Sequence, residues 1–185
     1  MLDILSESFD LNKSVNYVAK QDKDRLKRIR NLMDYSFEMC YLFGDIYLSE
    51  DKTGCLLVLY PDKKKTTLKT ILLDLKLAIS CIGLSRIAKV LERESKIKVH
   101  HPKTPISYLW FIGVKSDAQK KGVGTKLLQE VIEESKLQYR DVYLETSTLT
   151  NIPWYEKFGF EIISELELTY KLFILKREHL ACVEI

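Results

Sequence analysis

Two glycines, Gly122 and Gly124, lie where the sequence changes from a strand pattern to a helix pattern. The continuous apolar run at 108–114 predicts a buried strand, and apolar residues at helical spacing after the glycines predict a helix that starts near Gly122. The first amide groups of a helix have no intrahelical acceptor, and the helix dipole favours negative charge beside them. Because the glycines lack side chains and Lys120 and Lys121 lie nearby, the pattern predicts a site for a phosphate-bearing ligand.

The elements around this segment predict helices packed on a mixed, largely antiparallel sheet, an α+β (α/β) fold. The turn at 50–54, EDKTG, lies between two apolar runs and indicates a hairpin. Other boundaries follow from periodicity and from caps such as Gly159. We predict strands at 14–19, 45–49, 55–60, 108–114, 141–146, 160–168 and 169–176, and helices at 25–42, at 68–94 with a break near Gly83, from 122 onward and at 151–158.

The composition is that of a single globular domain comprising residues 1–185. Apolar residues make up 46% and charged residues 30%, and the formal net charge of +3 is too small and too dispersed to indicate nucleic acid as the main partner. The four cysteines, Cys40, Cys55, Cys81 and Cys182, show no CxxC or Cys/His spacing. We therefore expect reduced thiols and no metal site.

Neither a secretory signal nor a membrane span is indicated by the sequence. The N-terminus carries Asp3, Glu7 and Asp10 where a signal peptide needs a basic start and an unbroken apolar stretch. The most hydrophobic region, 71–91, contains charged residues that recur on one side of a helix. We therefore expect a cytoplasmic protein without a membrane partner.

Two motifs together carry a resemblance to a known family. Residues 119–124, QKKGVG, resemble the Q/R-x-x-G-x-G/A pyrophosphate loop of the GNAT acetyltransferase superfamily. Residues 151–160, NIPWYEKFGF, resemble the N…YEK-GF segment that follows the next strand in the same family. The resemblance covers roughly 100–163, with the cofactor-binding core at about 104–163. The region 62–99 is an insertion between the third and fourth predicted strands and is similar to the extra helices of puromycin-acetyltransferase-like members.

The resemblance implies acetyl-CoA as the cofactor and assigns two groups of residues to it. In the family the central strand bonds the pantetheine arm and polarises the thioester, and the matching residues here are Ile112, Gly113 and Val114. An alternative for Gly113 is that it only relieves crowding in a core strand. The residues assigned to pyrophosphate binding are Gln119, Lys120, Lys121, Gly122, Val123, Gly124 and Thr125. The alternative is that these residues only form an ordinary helix start.

The resemblance also assigns roles near the reacting atoms. Tyr155 would act as the general acid that protonates the departing thiolate, and its alternative is a core tyrosine. Asn151 would contact the cofactor arm, or it would cap a helix. Glu145 would act as the general base, or it would be a strand glutamate with a structural partner. Weaker candidates for the base are His100, His101, Tyr35 and Tyr41.

The implied function is transfer of an acetyl group from acetyl-CoA to an amine of a small molecule or peptide by direct attack on the thioester. Tyr35 and Tyr41 on the leading helix could line the acceptor pocket, or they could be core residues. An alternative function is that of a non-catalytic acyl-CoA-binding sensor or interaction module. A nucleotide-binding P-loop is a poor third interpretation because the GxxxxGK[ST] pattern is missing. The sequence leaves open whether the protein forms a homodimer.

Overall fold

Six strands form one sheet in the computed structural model, which describes residues 1–180. The strands are β1 (Gly44–Leu48), β2 (Gly54–Leu59), β3 (Ile106–Val114), β4 (Asp141–Thr146), β5 (Glu161–Glu167) and β6 (Lys171–Arg177). Their order across the sheet is β1-β2-β3-β4-β6-β5, and β3 and β4 are its parallel pair. The predicted mixed, largely antiparallel sheet flanked by helices is confirmed.

Helices cover both faces of this sheet. The α-helices are α1 (Leu2–Ser8), α2 (Lys13–Val18), α3 (Arg25–Phe43), α4 (Leu68–Leu77), α5 (Ile87–Lys98), α6 (Val123–Leu137) and α7 (Ile152–Glu156). Helices α1 and α3 pack on one face, in a core that contains Met33, Met39 and Phe111. Helices α6 and α7 pack on the other face, in a core that contains Leu128 and Tyr155.

Strands β3 and β4 pair at their first residues and then separate. They share three residue pairs, the last of which joins Tyr108 to Tyr143. Beyond this pair, the other edge of β3 stays paired with β2 as far as Val114, with a bulge that leaves Trp110 without a partner in β2. The backbone groups of 109–114 that face β4 therefore border an opening within the sheet, which we call the β3–β4 wedge.

The predicted first strand at 14–19 is wrong, because these residues form helix α2. The side chain of Asn12 accepts a hydrogen bond from the amide of Val15 at 3.0 Å and caps the helix. Val15 and Val18 are both buried, and they are close to one helical turn apart. The sheet therefore has six strands, and the insertion lies between its second and third strands, β2 and β3.

The insertion at 62–99 contains α4 and α5 and lies against α3. Gly83, with a φ of +80°, follows the π-helical turn Ala78–Ile82 and separates the two helices, as the sequence predicts. Lys76 of α4 forms an ion pair with Asp34 of α3 at 2.8 Å. The inserted helices therefore extend the layer on the α3 face of the sheet.

No helix within residues 1–180 is long and apolar enough to cross a membrane. In the same range, no group of three or more His, Cys, Asp and Glu residues could hold a metal ion. Cys40, Cys55 and Cys81 are buried free thiols, and burial raises the pKa of each. Cys182 lies outside the described residues.

Candidate active site

Ile112 and Val114 of β3 face the start of α6. A Cβ atom built on Gly124 would lie 3.6 Å from Val114 Cγ2 and 3.9 Å from Ile112 Cδ1. Because side chains alternate across a strand, Gly113 faces the opposite layer. The residues that the resemblance assigns to the pantetheine arm thus lie on the part of β3 that borders the β3–β4 wedge.

Crowding by α1 explains why position 113 is a glycine. A Cβ atom on Gly113 would lie 3.0 Å from Ser8 Oγ and 3.1 Å from Leu5 Cδ2. The Ser8 hydroxyl also donates to the carbonyl oxygen of Val114 at 3.3 Å, which ties α1 to the end of β3. Relief of crowding, the alternative given above for Gly113, therefore explains why this residue is a glycine. A role of the Gly113 backbone toward a thioester stays a prediction.

The loop between β3 and α6 contains two residues in the left-handed region. Lys120 has a φ of +61° and Gly122 a φ of +85°. Gly122 is the N-cap of α6, and no side chain caps the first amides there. Left-handed residues beside right-handed ones turn successive amide groups toward one side, an arrangement that binds anions. The loop therefore has the backbone geometry of a phosphate site.

The two glycines of this loop are under different structural constraints. Gly122 has the left-handed conformation that L side chains disfavour, and an added Cβ atom would have no neighbour within 4 Å. Gly124 has no such conformation, and its added Cβ atom would make only ordinary contacts of 3.6 Å or more. The chain itself therefore accepts alanine at 124. A ligand that passes close to the backbone would explain a glycine there.

Two side chains of the residues assigned to pyrophosphate binding form hydrogen bonds within the protein. Gln119 Nε2 donates to the carbonyl oxygen of Val114 at 3.2 Å and so links the loop to the strand before it. Thr125 Oγ1 accepts from Trp154 Nε1 at 3.4 Å and so links the start of α6 to α7. These contacts position the loop, and they leave its backbone amides as the groups that could hold an anion.

A cleft of about 320 Å³ lies beside the loop, between the β1–β2 turn and the start of α6. Lys121 and Lys126 line this cleft together with Asp51. The Ser49 hydroxyl and the amide and hydroxyl of Thr53 hydrogen-bond Asp51 and lower its pKa to about 2, so this carboxylate is ionised at neutral pH. The cleft thus carries charges of both signs, and the glycine loop forms part of its wall through Lys121 and Val123.

Tyr155 lies on α7, on the same face of the sheet as α6. The residue is 5% exposed, and its ring centroid lies 4.8 Å from that of Trp154. Burial raises the pKa of Tyr155, so its hydroxyl keeps its proton at neutral pH. The general acid for a leaving thiolate must carry a proton, and a buried neutral tyrosine meets this condition. Its catalytic role stays a prediction.

Asn151 is exposed at the start of α7. It occupies the N-cap position, but its side chain accepts no capping hydrogen bond from the helix. The Asn151 side chain therefore does not cap α7, and it is free to contact a ligand. Contact with a cofactor arm stays a prediction.

Glu145 of β4 is held by two side chains on the face opposite Tyr155. Its side chain is 6% exposed, and the Tyr108 hydroxyl donates to Glu145 Oε2 at 2.5 Å. His101 Nε2 lies 3.3 Å from the other carboxylate oxygen, Oε1. Glu145 thus has structural partners, as expected if it is a structural strand glutamate. It also lies next to the β3–β4 wedge, two residues beyond Tyr143.

The two acceptor-pocket candidates on α3 have different surroundings. The ring of Tyr35 packs edge-on against Trp110 with centroids 6.1 Å apart, and its hydroxyl donates to Asp74 Oδ1 at 2.7 Å. Burial and the Asp74 carboxylate raise the pKa of Tyr35. Tyr41 is 71% exposed and stacks on Phe37. Tyr35 is therefore part of the aromatic layer below β3, and Tyr41 is a surface residue.

Sequence reasoning missed Tyr108 and Trp110 as site residues and gave His101 only a minor place. The rings of His101 and Tyr108 lie 5.2 Å apart, and those of Tyr108 and Trp110 lie 6.1 Å apart. An apolar run gives no sign that its first tyrosine faces a glutamate on another strand. The contact depends on the pairing of β3 with β4, which periodicity does not specify.

Comparisons with known proteins agree with this geometry. Residues 79–162 match the family model of the acetyltransferase (GNAT) domain. The uncharacterized N-acetyltransferase C550.08 of Schizosaccharomyces pombe is 39% identical to this chain over 62 residues, which are 34% of this chain and 25% of that protein. The match thus spans about a quarter of the length of this curated relative.

Solved structures share the fold at low sequence identity. One, described as histone acetyltransferase HPA2 and related acetyltransferase, comes from Corynebacterium glutamicum and is 18% identical, with a TM-score of 0.65 over 100% of this chain and 91% of that chain. An N-acetyltransferase from Staphylococcus aureus is 17% identical, with a TM-score of 0.57 over 95% of this chain and 92% of that chain. These similarities show a common fold.

Alanine at the two loop glycines should affect stability differently. Gly122→Ala should lower the free energy of unfolding by about 1 kcal/mol, because a Cβ atom disfavours the left-handed conformation. Gly124→Ala should leave it unchanged or raise it by up to about 1 kcal/mol, because alanine favours the helix. Urea unfolding of both variants measures the difference. Equal destabilisation of the two would contradict the loop conformation described here.

Proposed function

We propose that this chain, whose residues 79–162 match the model of the acetyltransferase (GNAT) domain, transfers an acetyl group from acetyl-CoA to the amine of a small molecule or peptide. The observation that carries the proposal is the β3–β4 wedge, which opens directly before the loop at Gly122. The wedge offers unpaired backbone groups along β3, and the loop offers amides at a helix N-terminus. Together they suit a ligand with an amide-bearing arm and a pyrophosphate.

The pyrophosphate would bind at the backbone amides of residues 119–125, with Lys120 and Lys121 adding positive charge. The pantetheine arm would bind along Ile112, Gly113 and Val114, whose backbone has no partner strand on the wedge side. Asn151 at the start of α7 would contact the arm from the neighbouring layer. When bound, acetyl-CoA supplies an electrophilic thioester carbon and a thiolate leaving group.

Acid and base candidates lie on opposite faces of the sheet. Tyr155 belongs to the core on the α6 and α7 face, and its protonated hydroxyl would give a proton to the leaving thiolate. Glu145 contacts Tyr108, which packs against the core on the α1 and α3 face, and would take a proton from the acceptor ammonium. An acceptor that approaches from one face could then attack while the thiolate leaves toward the other.

The acceptor side of the wedge combines aromatic rings with carboxylates. Tyr35 and Trp110 form an aromatic wall, and Glu94 of α5 is 55% exposed there. Burial raises the pKa of Glu94, the charge of Arg93 opposes this effect, and the charge of Glu145 adds to it. Such surroundings suit a cationic amine with an apolar body. Peptide and small-molecule amines both meet this description.

The cellular compartment and the oligomeric state of the protein are separate questions from its activity. The buried free thiols Cys40, Cys55 and Cys81 are consistent with a reducing compartment such as the cytoplasm. A homodimer stays a prediction. A sensor that binds acyl-CoA without turnover would share the wedge and the loop, so it is separated from the enzyme by activity and not by binding.

Negative charge at position 124 should weaken acetyl-CoA binding. Gly124→Asp should raise the acetyl-CoA Kd by about tenfold or more, because a carboxylate there would crowd and repel the pyrophosphate. Gly124→Ala is the matched control: its Cβ atom fits the chain and adds no charge, so this variant should bind acetyl-CoA more tightly than the aspartate variant. Isothermal titration calorimetry measures both affinities. Equal affinity of Gly124→Asp and wild type would refute the loop as the pyrophosphate site.

Loss of the Tyr155 hydroxyl should slow turnover without affecting cofactor binding. Tyr155→Phe should lower kcat roughly a hundredfold, because the leaving thiolate loses its proton donor. Tyr139→Phe, at a residue that is 77% exposed, is the control and should behave as wild type. A thiol-release assay over a panel of amines gives kcat. Near-native turnover of Tyr155→Phe would exclude the acid role, and cofactor binding with no active amine would favour the sensor.

A further inference from the structure

The carboxylate of Glu145 has one hydrogen-bond partner on each oxygen. Tyr108 O–H donates to Oε2 at 2.5 Å, and the ring nitrogen Nε2 of His101 lies 3.3 Å from Oε1. A carboxylate accepts about four hydrogen bonds, two on each oxygen. Two acceptor positions therefore stay available after Tyr108 and His101 are counted. The carboxylate is fixed in orientation and still able to receive a proton.

Within residues 1–180, Glu145 forms no ion pair with a lysine or arginine. Arg93 of α5 is close enough to Glu145 for their charges to attract, but its hydrogen bonds go to Ser14 and Tyr170, at 2.6 Å and 3.0 Å, and it forms an ion pair with its neighbour Glu94. A carboxylate that is 6% exposed normally needs a charged partner. Because Arg93 does not bond Glu145 directly, the carboxylate can still contact a cation from outside the chain, such as the ammonium group of an acceptor.

The His101 ring is itself fixed by aromatic neighbours. Its centroid lies 5.2 Å from the Tyr108 ring and 5.8 Å from the Tyr143 ring, and its side chain is 15% exposed. With this ring position, the Nε2–H tautomer would donate to Glu145 Oε1. His101 follows α5, so the segment that links the insertion to β3 brings this residue to the wedge.

We propose that Tyr108 and His101 are positioning residues that hold Glu145 in the orientation in which it accepts the proton of the acceptor ammonium. This inference rests on the proposed acetyl transfer. In the step concerned, one N–H bond of the ammonium breaks and one O–H bond forms on Glu145, which leaves a neutral amine and a neutral carboxylic acid. Tyr108 and His101 keep their own protons and act only through Glu145.

The test is a set of kinetic double-mutant cycles on the full chain, with thiol release as the assay. Tyr108→Phe and His101→Leu should each lower kcat about tenfold to a hundredfold, while the acceptor KM and the acetyl-CoA Kd change by less than about threefold. His101→Gln keeps an N–H donor and should restore most of kcat. Tyr139→Phe, at a residue that is 77% exposed and makes no hydrogen bond to Glu145, is the control and should match wild type.

The decisive comparison is made in the Glu145→Gln background. There, Tyr108→Phe and His101→Leu should lower kcat by less than about twofold further, because the residue through which they act is already lost. Equal losses in both backgrounds, or native kcat in Tyr108→Phe, would overturn the inference while leaving acetyl transfer intact. Native kcat in Glu145→Gln would overturn it as well. If the wild-type protein binds acetyl-CoA but turns over no amine, the proposed function and this inference are overturned together.

Discussion

Backbone hydrogen bonds between β3 and β4 end at Tyr108 and Tyr143, so the following residues of β3 have a free edge inside the sheet. Unpaired backbone groups in a sheet are costly unless water or a ligand satisfies them. The paired end is held firmly: Ser107 and Ser135 share a buried hydrogen bond of 2.8 Å, and Arg140 donates to Ile106 O at 3.0 Å. The sheet is thus closed at one end of the wedge and open at the other.

The parts of the candidate site follow from this opening. The loop at Gly122 lies at its open end, where α6 begins without a side-chain cap. Tyr155 and Glu145 lie on the two faces of the sheet beside it. The insertion adds a layer on the Glu145 face only, through α4, α5 and the segment that carries His101. Cofactor and acceptor would therefore meet from different sides, and the insertion would affect the acceptor.

Local signals in the sequence predicted most of the fold and the position of the glycine loop, whose role in cofactor binding stays a prediction. The strand at 141–146 and the glycine loop carry their information in residue type and spacing, which are local properties. The segment 14–19 was mistaken for a strand because its short apolar pattern fits both periods. The contact of Tyr108 with Glu145 spans 37 residues and depends on strand register, so no local pattern could reveal it.

Amide hydrogen exchange with and without acetyl-CoA tests the central claim most directly, since it reports on the backbone groups along the wedge. Saturating acetyl-CoA should slow exchange at the amides of 109–114 that face β4 and at those of 119–125, with no comparable change along β5, which lies at the far edge of the sheet. Binding of acetyl-CoA that leaves exchange at 109–114 unchanged would contradict the wedge as its site.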